Sequence, residues 1–399
     1  MPAIQIRPGI YWIGVNDRTT DLFEGIWPIT QEGVSYNSYL IVDEKKVLVD
    51  LTKSTKEGSF LGQISDVLDP TKLDYIVINH MEPDHTGAVK VLHSLAPQAT
   101  FLLTDKAATM LKAFYGIMDR VHIVKDGEEL SLGEKTLVFY AIPFVHWPET
   151  MVTYEKTQRV LFSCDAFGGY GALRGAIFDD ECGDKAFYLQ EALRYYVNIV
   201  ALFSGPVLKA IAKLSGLDIQ IIAPSHGLIW RKDPGQIVQL YRKWAEYATS
   251  PGDPAVTLVY GSMYGNTEAM MNAVAEGVSK AGVPLAIFDA ARTHVSYILP
   301  YLWTRQGVIV GAPTYEGALF PPVAEVLTYA AHKRILNKRL AYFGSYGWGG
   351  GAKRELVKVT EPLKWELVDS LEFNGAATAE DLHRGETFGQ RFAESLLRS

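Results

Sequence analysis

The segment His80-x-Glu82-x-Asp84-His85 places four side chains that can bind metal within six residues, directly after the apolar run 75–78. Imidazole binds zinc, copper, iron and nickel, and each added carboxylate shifts the preference toward harder ions such as iron or manganese. The segment contains no cysteine, so no thiolate favours a softer ion. The ligand types and their spacing predict a metal site at the end of a strand.

Three further candidate ligands, His146, Asp165 and His226, each come a few residues after an apolar run that is typical of a strand. Open sheets commonly present functional side chains at strand ends. The complete set of candidates is His80, Glu82, Asp84, His85, His146, Asp165 and His226. Four imidazoles and three carboxylates exceed the needs of one ion and suit two, with Asp165 as the expected bridging carboxylate.

These ligands require a scaffold that brings distant strand ends together. Hairpin-like pairs of short strands occupy the first fifty residues, and helical segments alternate with strands afterwards, including Gly87–Leu95 and the longer region Lys185–Leu214. The mixture predicts a sandwich of two sheets with outer helices. Within the longer region we predict an interruption at Gly205-Pro206, because glycine and proline disfavour helix interiors.

A linker is predicted at 249–254, where threonine, serine, proline, glycine and aspartate follow one another. We therefore predict two domains, 1–250 and 255–399. Strand and helix alternate regularly after the linker. The predicted strands are 255–260, 284–288, 307–310, 339–343 and 365–371. Five parallel strands with right-handed crossovers predict a doubly wound sheet.

Three loops that follow strands of the C-terminal domain form a second candidate site. The first, 262–267, places small and hydroxylated residues at the start of a helix, where backbone N–H groups favour a phosphate. It lacks the P-loop lysine, and the chain has no Gly-x-Gly-x-x-Gly, so ATP and NAD fit poorly. The other two loops mix aromatic and small residues, which suits the face and edge of a planar ring. The candidates are Ser262, Met263, Tyr264, Gly265, Asn266, Thr267, Pro313, Thr314, Tyr315, Gly317, Ser345, Tyr346, Gly347, Trp348 and Gly349. A phosphate loop with two ring loops predicts flavin mononucleotide (FMN).

The net charge of −7 argues against nucleic acid or an anionic membrane as a main partner, because both select basic surfaces. We find no uninterrupted apolar run long enough to span a membrane and no signal peptide, so a cytoplasmic protein is expected. Cys164 and Cys182 are the only cysteines, too few for a four-cysteine iron site. An electron donor of the rubredoxin kind is therefore expected to be a separate protein.

Over nearly its full length the chain resembles the flavodiiron proteins, also called A-type flavoproteins. The motifs that carry the resemblance are the His80 to His85 segment, His146-Trp147-Pro148, Asp165, Ser225-His226-Gly227, the loop 262–267 and Tyr346-Gly347-Trp348-Gly349-Gly350. The resemblance implies a metallo-β-lactamase-like αββα sandwich with a diiron centre, followed by a flavodoxin-like domain with FMN. Hydrolases of the first fold typically carry His-x-His-x-Asp-His, and Glu82 replaces the second of those histidines here.

The resemblance also implies roles for individual residues. His80, Glu82 and His146 are expected to bind one iron, and Asp84, His85 and His226 the other, with Asp165 between them. In some members of the family the histidine that corresponds to His85 is displaced or replaced. Tyr195 resembles a tyrosine of the family that hydrogen-bonds oxygen species at the metals, and an ordinary buried tyrosine is the alternative.

The activity implied is reduction of dioxygen to water, of nitric oxide to nitrous oxide, or of both. The implied donor is rubredoxin or, as in methanogen members, reduced coenzyme F420. A minimal two-domain chain and a head-to-tail homodimer, or a dimer of such dimers, are also expected, with Trp348 reaching toward the partner's irons or merely packing on the flavin. Two alternatives from other classes are a metal-dependent hydrolase with a flavodoxin-like appendage and an electron carrier with a structural metal cluster.

Overall fold

The computed structural model describes residues 2–398. The chain divides into two compact units, Met1–Ala245 and Glu246–Ser399. This division falls at the end of a helix, a few residues before the predicted linker 249–254. The domain limits 1–250 and 255–399 remain a prediction.

In the part of the chain that the structure describes, the first unit contains two large sheets and seven α-helices. Its strands are β1 Ile4–Arg7, β2 Ile10–Trp12, β3 Val15–Asp17, β4 Leu22–Phe23, β5 Trp27–Pro28, β6 Val34–Tyr36, β7 Tyr39–Val42, β8 Lys46–Val49, β9 Tyr75–Val77, β10 Thr100–Leu103, β11 Val121–Ile123, β12 Glu129–Ser131, β13 Thr136–Ala141, β14 Met151–Glu155, β15 Val160–Cys164 and β16 Ile221–Pro224. Its helices are α1 Glu57–Ser65, α2 Pro83–Thr86, α3 Val89–Leu95, α4 Asp105–Tyr115, α5 Lys185–Tyr195, α6 Ser204–Leu214 and α7 Pro234–Glu246. Shorter helical turns are Ser54–Lys56, Pro70–Lys72, Tyr196–Val200 and Ala201–Phe203.

One sheet has seven strands in the order β1-β2-β7-β8-β9-β10-β11, and the other has five in the order β12-β13-β14-β15-β16. Strands β15 and β16 are parallel neighbours and are buried at every position. Complete burial explains why their sequences are continuous apolar runs and do not alternate with polar residues. The predicted αββα sandwich of the metallo-β-lactamase-like class is confirmed.

The second unit is built on one five-stranded sheet. Its strands are β17 Asp253–Tyr260, β18 Leu285–Asp289, β19 Arg305–Gly311, β20 Thr314–Tyr315, β21 Ala318–Leu319, β22 Arg339–Tyr346 and β23 Glu366–Asn374, and its helices are α8 Asn266–Lys280, α9 Val295–Thr304, α10 Pro321–His332, α11 Ala352–Thr360 and α12 Ala379–Leu396, with a short turn at Glu361–Leu363. The order β18-β17-β19-β22-β23, with every pairing parallel, is that of flavodoxin. The predicted doubly wound, flavodoxin-like sheet is confirmed.

One helix prediction in the first unit needs correction. The interruption of Lys185–Leu214 lies at Tyr196–Phe203, where a π-helical turn and a 3-10 turn join α5 to α6. Gly205-Pro206 lie instead in the first turn of α6, where a proline costs no intrahelical hydrogen bond. The helical segment predicted at Gly87–Leu95 is present as α3, and a separate short helix that was not predicted, α2, begins at Pro83 within the ligand segment.

Within residues 2–398 one helical run, Lys185–Leu214, is long and apolar enough to cross a membrane by length and composition alone. This run was not predicted from the sequence, because polar residues such as Asn198 and Lys209 interrupt it. Of its most apolar window, 56% is buried inside the protein, as in the core helices of water-soluble proteins. This property by itself assigns no membrane.

Candidate functional site

The seven predicted metal ligands come together in one cluster of the first unit. They form two groups, His80, Glu82, His146 and Asp165 on one side and Asp84, His85 and His226 on the other. Within each group, one donor atom per residue lies within 4.8 Å of the donor atoms of the others. This grouping is the one that the resemblance implied, and the binding of metal ions by these residues stays a prediction.

Both sheets of the first unit supply the cluster. Strand β9 of the seven-stranded sheet ends just before the ligand segment, and β15 and β16 of the other sheet end just before Asp165 and His226. Cys164, the last residue of β15, has a φ of 52°, which lies in the left-handed region that non-glycine residues seldom adopt. The chain therefore turns sharply immediately before Asp165.

Asp165 lies between the two groups and presents one carboxylate oxygen to each. Its Oδ2 is 3.3 Å from Nε2 of His80 and 3.2 Å from Nε2 of His146. Its Oδ1 is 3.0 Å from Nε2 of His85 and 3.3 Å from Nε2 of His226. A carboxylate in this position is arranged to bridge two metal ions.

Burial and close charge pairs together set the protonation of the cluster. Burial opposes ionisation of Glu82, but the imidazoles of His146 and His80, 3.1 Å and 3.3 Å away, hold its pKa well below the usual value. Burial likewise opposes the charged form of the histidines, but Asp165 and the other carboxylates raise the pKa of His146 to about 9 and that of His226 to about 10. The cluster therefore holds the ionised carboxylates of Glu82 and Asp165, whose pKa values are lowered, beside charged imidazoles.

Several donor atoms of the cluster are buried and face one another, but none of them has a well-oriented hydrogen bond among residues 2–398. They are both carboxylate oxygens of Asp84, both of Asp165, and Nε2 of His85, His146 and His226. A buried polar atom left unpaired costs about 1 to 3 kcal/mol. So many in one place fit a site for cations, because a cation at the centre of each group would satisfy them together. The donor set of nitrogen and oxygen suits iron.

Metal binding by the metal-free protein is expected to release protons and to tighten as the pH rises. His146 and His226 carry a proton at pH 7, because their pKa values are raised to about 9 and about 10, and a metal ion must displace that proton from Nε2. Calorimetric titration with Fe²⁺ in buffers of different ionisation enthalpy measures the release. The released protons per metal should decrease between pH 7 and pH 10 and should be fewer in His146→Gln. Release that is independent of pH would contradict these protonation states.

Two of the histidines are held from behind by hydrogen bonds to Nδ1. Nδ1 of His80 is 2.7 Å from Oε1 of Glu149, and Nδ1 of His226 is 2.7 Å from the backbone carbonyl oxygen of Ser35. Such contacts fix the ring and leave Nε2 for the cluster. Neither partner was predicted from the sequence, where the position of Glu149 three residues after His146 is a weak signal.

Aromatic rings pack on the His226 side of the cluster. The ring centroids of Tyr195 and Phe23 both lie 5.6 Å from that of His226. Burial raises the pKa of Tyr195 well above its usual value, so its hydroxyl stays neutral. Glu24, also missed from the sequence, contacts Glu82, and burial together with that neighbouring charge raises the pKa of Glu24 to about 7. The catalytic role of Tyr195 stays a prediction.

The second unit has a cleft of about 680 Å³ at the carboxyl ends of its strands, a volume in the range of small-ligand sites. Its lining includes every predicted flavin residue except Gly265, with Glu316, Gly350 and Gly375 in addition. Gly265 precedes α8 with a φ of 88°, a conformation that favours glycine. It contributes to the backbone turn of the loop without lining the cleft. Gly375 follows the fifth strand, which the sequence analysis did not connect with this site.

The loop 262–267 has the hydrogen bonds of a tight turn at a helix start. Oγ of Ser262 accepts the N–H groups of Gly265, at 3.1 Å, and Glu268, at 3.4 Å. Oγ1 of Thr267 is 3.0 Å from Oγ of Ser345, which joins this loop to the third flavin loop. The first turn of α8 therefore presents N–H groups and hydroxyls to the cleft, as a phosphate site requires. Trp348 and Tyr264, at the rim, are 101% and 90% exposed.

Comparison with known proteins agrees with this geometry. The family model of the ODP family beta lactamase matches residues 34–227, and that of flavodoxin matches residues 258–386. The chain is 36% identical to a nitric oxide reductase of Moorella thermoacetica over 398 residues, with 98% of both chains covered. A rubredoxin oxygen:oxidoreductase from Desulfovibrio gigas has a similar structure, with 31% identity, a TM-score of 0.92 and 99% of both chains covered. A flavodiiron protein from Giardia intestinalis is 29% identical with a TM-score of 0.93, over 100% of this chain and 97% of the other.

A β-lactamase-like unit with a cluster for two metals, joined to a flavodoxin-like unit, defines an oxidoreductase that combines metal and flavin. The chain belongs to the flavodiiron protein family. Membership confirms the resemblance inferred from the motifs and the two predicted cofactors, FMN and a pair of non-haem irons.

Proposed function

We propose that this protein reduces dioxygen to water, nitric oxide to nitrous oxide, or both, at two irons held by the cluster of the first unit. The observation that carries the proposal is the pair of ligand groups that share Asp165, one oxygen to each, with several of their donor atoms lacking a hydrogen-bond partner. The names of the relatives support both gases, since one is a nitric oxide reductase and another a rubredoxin oxygen:oxidoreductase.

Each ligand group would hold one iron, His80, Glu82 and His146 the first and Asp84, His85 and His226 the second. A reduced iron pair and a reduced FMN together supply four electrons, which is the number needed to take dioxygen to water. The ligands are almost fully buried, with His80 and His226 at 0% exposure, so the protein excludes bulk water around the reacting molecule. Tyr195 is a neutral buried hydroxyl beside His226 and would donate a hydrogen bond to a bound oxygen species.

FMN would occupy the cleft of the second unit, with its phosphate at the loop 262–267 and its ring between the loops that contain Tyr315 and Trp348. The hydroxyls of Ser262 and Thr267 and the N–H groups at the start of α8 would bind the phosphate. We propose 1–250 and 255–399 as the functional limits of the diiron and flavin domains.

Thr267→Ala is expected to weaken FMN binding by about 1 to 2 kcal/mol, because one charge-assisted hydrogen bond to the phosphate is lost. Fluorescence titration of the flavin-free protein measures the change. Thr267→Ser keeps the hydroxyl and serves as the matched control, with nearly unchanged affinity expected. Equal affinity of the alanine variant, or FAD as the bound flavin, would contradict this placement of the phosphate.

The proposed working unit is a head-to-tail homodimer, or a dimer of such dimers, in which the FMN of one chain faces the irons of its partner. Supporting this, Trp348 and Tyr264 at the rim of the flavin cleft are largely exposed aromatic residues, which protein interfaces often bury. The proposed donor is a separate protein or cofactor, rubredoxin or reduced coenzyme F420, and the proposed location is the cytoplasm.

Elemental and flavin analysis of protein from iron-replete cells, together with gas electrodes, tests this function. We expect about two irons per chain, because three carboxylates and no thiolate favour iron, one FMN, and consumption of dioxygen or nitric oxide by the reduced protein. Stoichiometric zinc without flavin would favour a hydrolase of the same fold. Bound iron and FMN with no consumption of either gas would favour an electron carrier.

A further inference from the structure

The two ligand groups differ in the hydrogen-bond partners of their histidine Nδ1 atoms. Oε1 of Glu149 is 2.7 Å from Nδ1 of His80, and both side chains are 0% exposed. The same oxygen accepts the backbone N–H of Met81 at 3.0 Å, which fixes the carboxylate in place. His80 is thus backed by a buried negative charge.

The other group has no equivalent charge at hydrogen-bond distance among residues 2–398. Nδ1 of His226 is bonded to a neutral acceptor, the carbonyl oxygen of Ser35 at 2.7 Å. The buried carboxylate that could act on this group as Glu149 acts on His80 is Asp50, which interacts electrostatically with His85. Its two oxygens, however, accept the backbone N–H and side-chain amide of Asn79, at 2.8 Å and 2.9 Å.

In ligand types the two groups are alike, because each consists of two imidazoles and one carboxylate and lies against one oxygen of Asp165. A carboxylate bonded to Nδ1 draws the ring proton toward itself, which makes Nε2 a stronger donor to a metal than a carbonyl partner does. Its charge also acts over a short distance in a dry interior, where charges are poorly screened. Both effects favour the more positive oxidation state of the metal at that position.

We propose that Glu149 makes the two iron positions unequal, so that the iron held by His80, Glu82 and His146 is oxidised first. When the reduced pair gives one electron to an external oxidant, the ferric charge then resides on the His80 side and the iron on the His226 side stays ferrous. Tyr195 and Phe23 flank the position that stays ferrous. Glu149 is a positioning residue here, since it acts through His80. The inference rests on the proposed function.

The test is an anaerobic redox titration of the iron-loaded full-length protein, with the half-oxidised pair followed by electron paramagnetic resonance. Glu149→Gln keeps the shape and an acceptor oxygen but removes the charge. We expect it to raise the potential of the first oxidation by about 59 mV, which corresponds to a roughly tenfold loss of preference for ferric iron. The second oxidation should move clearly less, and the signal of the half-oxidised pair should change.

Two further variants separate this role from a merely structural one. Glu149→Asp retains the charge, so the potential of its first oxidation should lie closer to the wild-type value than that of Glu149→Gln. If Glu149 acted only through packing, the shortened side chain of Glu149→Asp would shift this potential at least as much as Glu149→Gln does. Glu155→Gln removes another buried carboxylate, which accepts the N–H groups of Thr157 and Gln158, and should leave both potentials unchanged.

Equal shifts of both oxidations, a larger shift of the second, or no shift in Glu149→Gln would overturn the inference while leaving the proposed function intact. If Glu149→Gln does not fold, the first oxidation potential of Glu149→Asp decides. An unchanged potential supports the inference, and a large shift overturns it. A wild-type protein that binds no iron pair would instead refute the proposed function itself.

Discussion

Asp165→Ala is expected to abolish gas reduction, with activity falling at least ~100-fold, more than the typical loss when only a residue behind a metal ligand is changed. Asp165 approaches both ligand groups, at 3.0 to 3.3 Å from four histidine nitrogens. Without it each group keeps three side chains and loses the bridge between them. Iron content should therefore fall together with activity, as measured by elemental analysis and by gas electrodes.

The FMN content of Asp165→Ala should stay normal, because the flavin cleft lies in the second unit. Asp179→Asn is a matched control, since Asp179 is another buried aspartate of the first unit that accepts the N–H groups of Arg231 and Lys232 and lies outside the cluster. The control should retain iron and most of its activity. Full iron content and activity in Asp165→Ala would rule out the bridging role.

Mixing two inactive variants is expected to restore activity if electrons pass between chains. An Asp165→Ala chain supplies FMN but no iron pair, and a Thr267→Ala chain stripped of its flavin supplies an iron pair but no FMN. In a head-to-tail dimer the flavin of the first faces the irons of the second, because a two-fold interface makes each contact twice. Each mixed dimer should therefore recover about one working pair of sites.

Subunit exchange must be shown by native mass spectrometry before activity is compared. Trp348→Ala in the chain that carries FMN should reduce the recovered activity, because Trp348 is fully exposed at the rim of the cleft and is the residue proposed to reach the partner. A mixture that stays inactive despite confirmed exchange would refute electron transfer between chains.

The parts of the fold that sequence patterns predicted are those with strong local signals. The five strands of the second unit follow apolar runs such as 255–260, and all five are present in one parallel sheet. The ligand cluster could be predicted because His80 and its neighbours lie close in the sequence and the remaining ligands follow strands. Strand ends of a layered fold converge, so local signals were enough to predict the three-dimensional cluster.

The features that sequence patterns missed depend on tertiary contacts. The contact of Glu149 with His80 joins residues 69 positions apart, and the acceptor for His226 is a backbone carbonyl, which no side-chain motif encodes. The π-helical turn at Tyr196–Val200 is buried at every residue, so packing overrides a local pattern that pointed to Gly205-Pro206. Glu24 precedes a glycine in a turn between β4 and β5, and its chemistry arises only from contact with Glu82.

The most direct test of the proposed function is anaerobic stopped-flow mixing of the fully reduced protein with dioxygen and, separately, with nitric oxide, followed by flavin absorbance. Iron-depleted protein with the same FMN content is the control, since reduced flavin alone also reacts with dioxygen. We expect that with at least one gas the flavin is reoxidised far faster when the irons are present. Equal rates of flavin reoxidation with and without iron, for both gases, would contradict the proposed function.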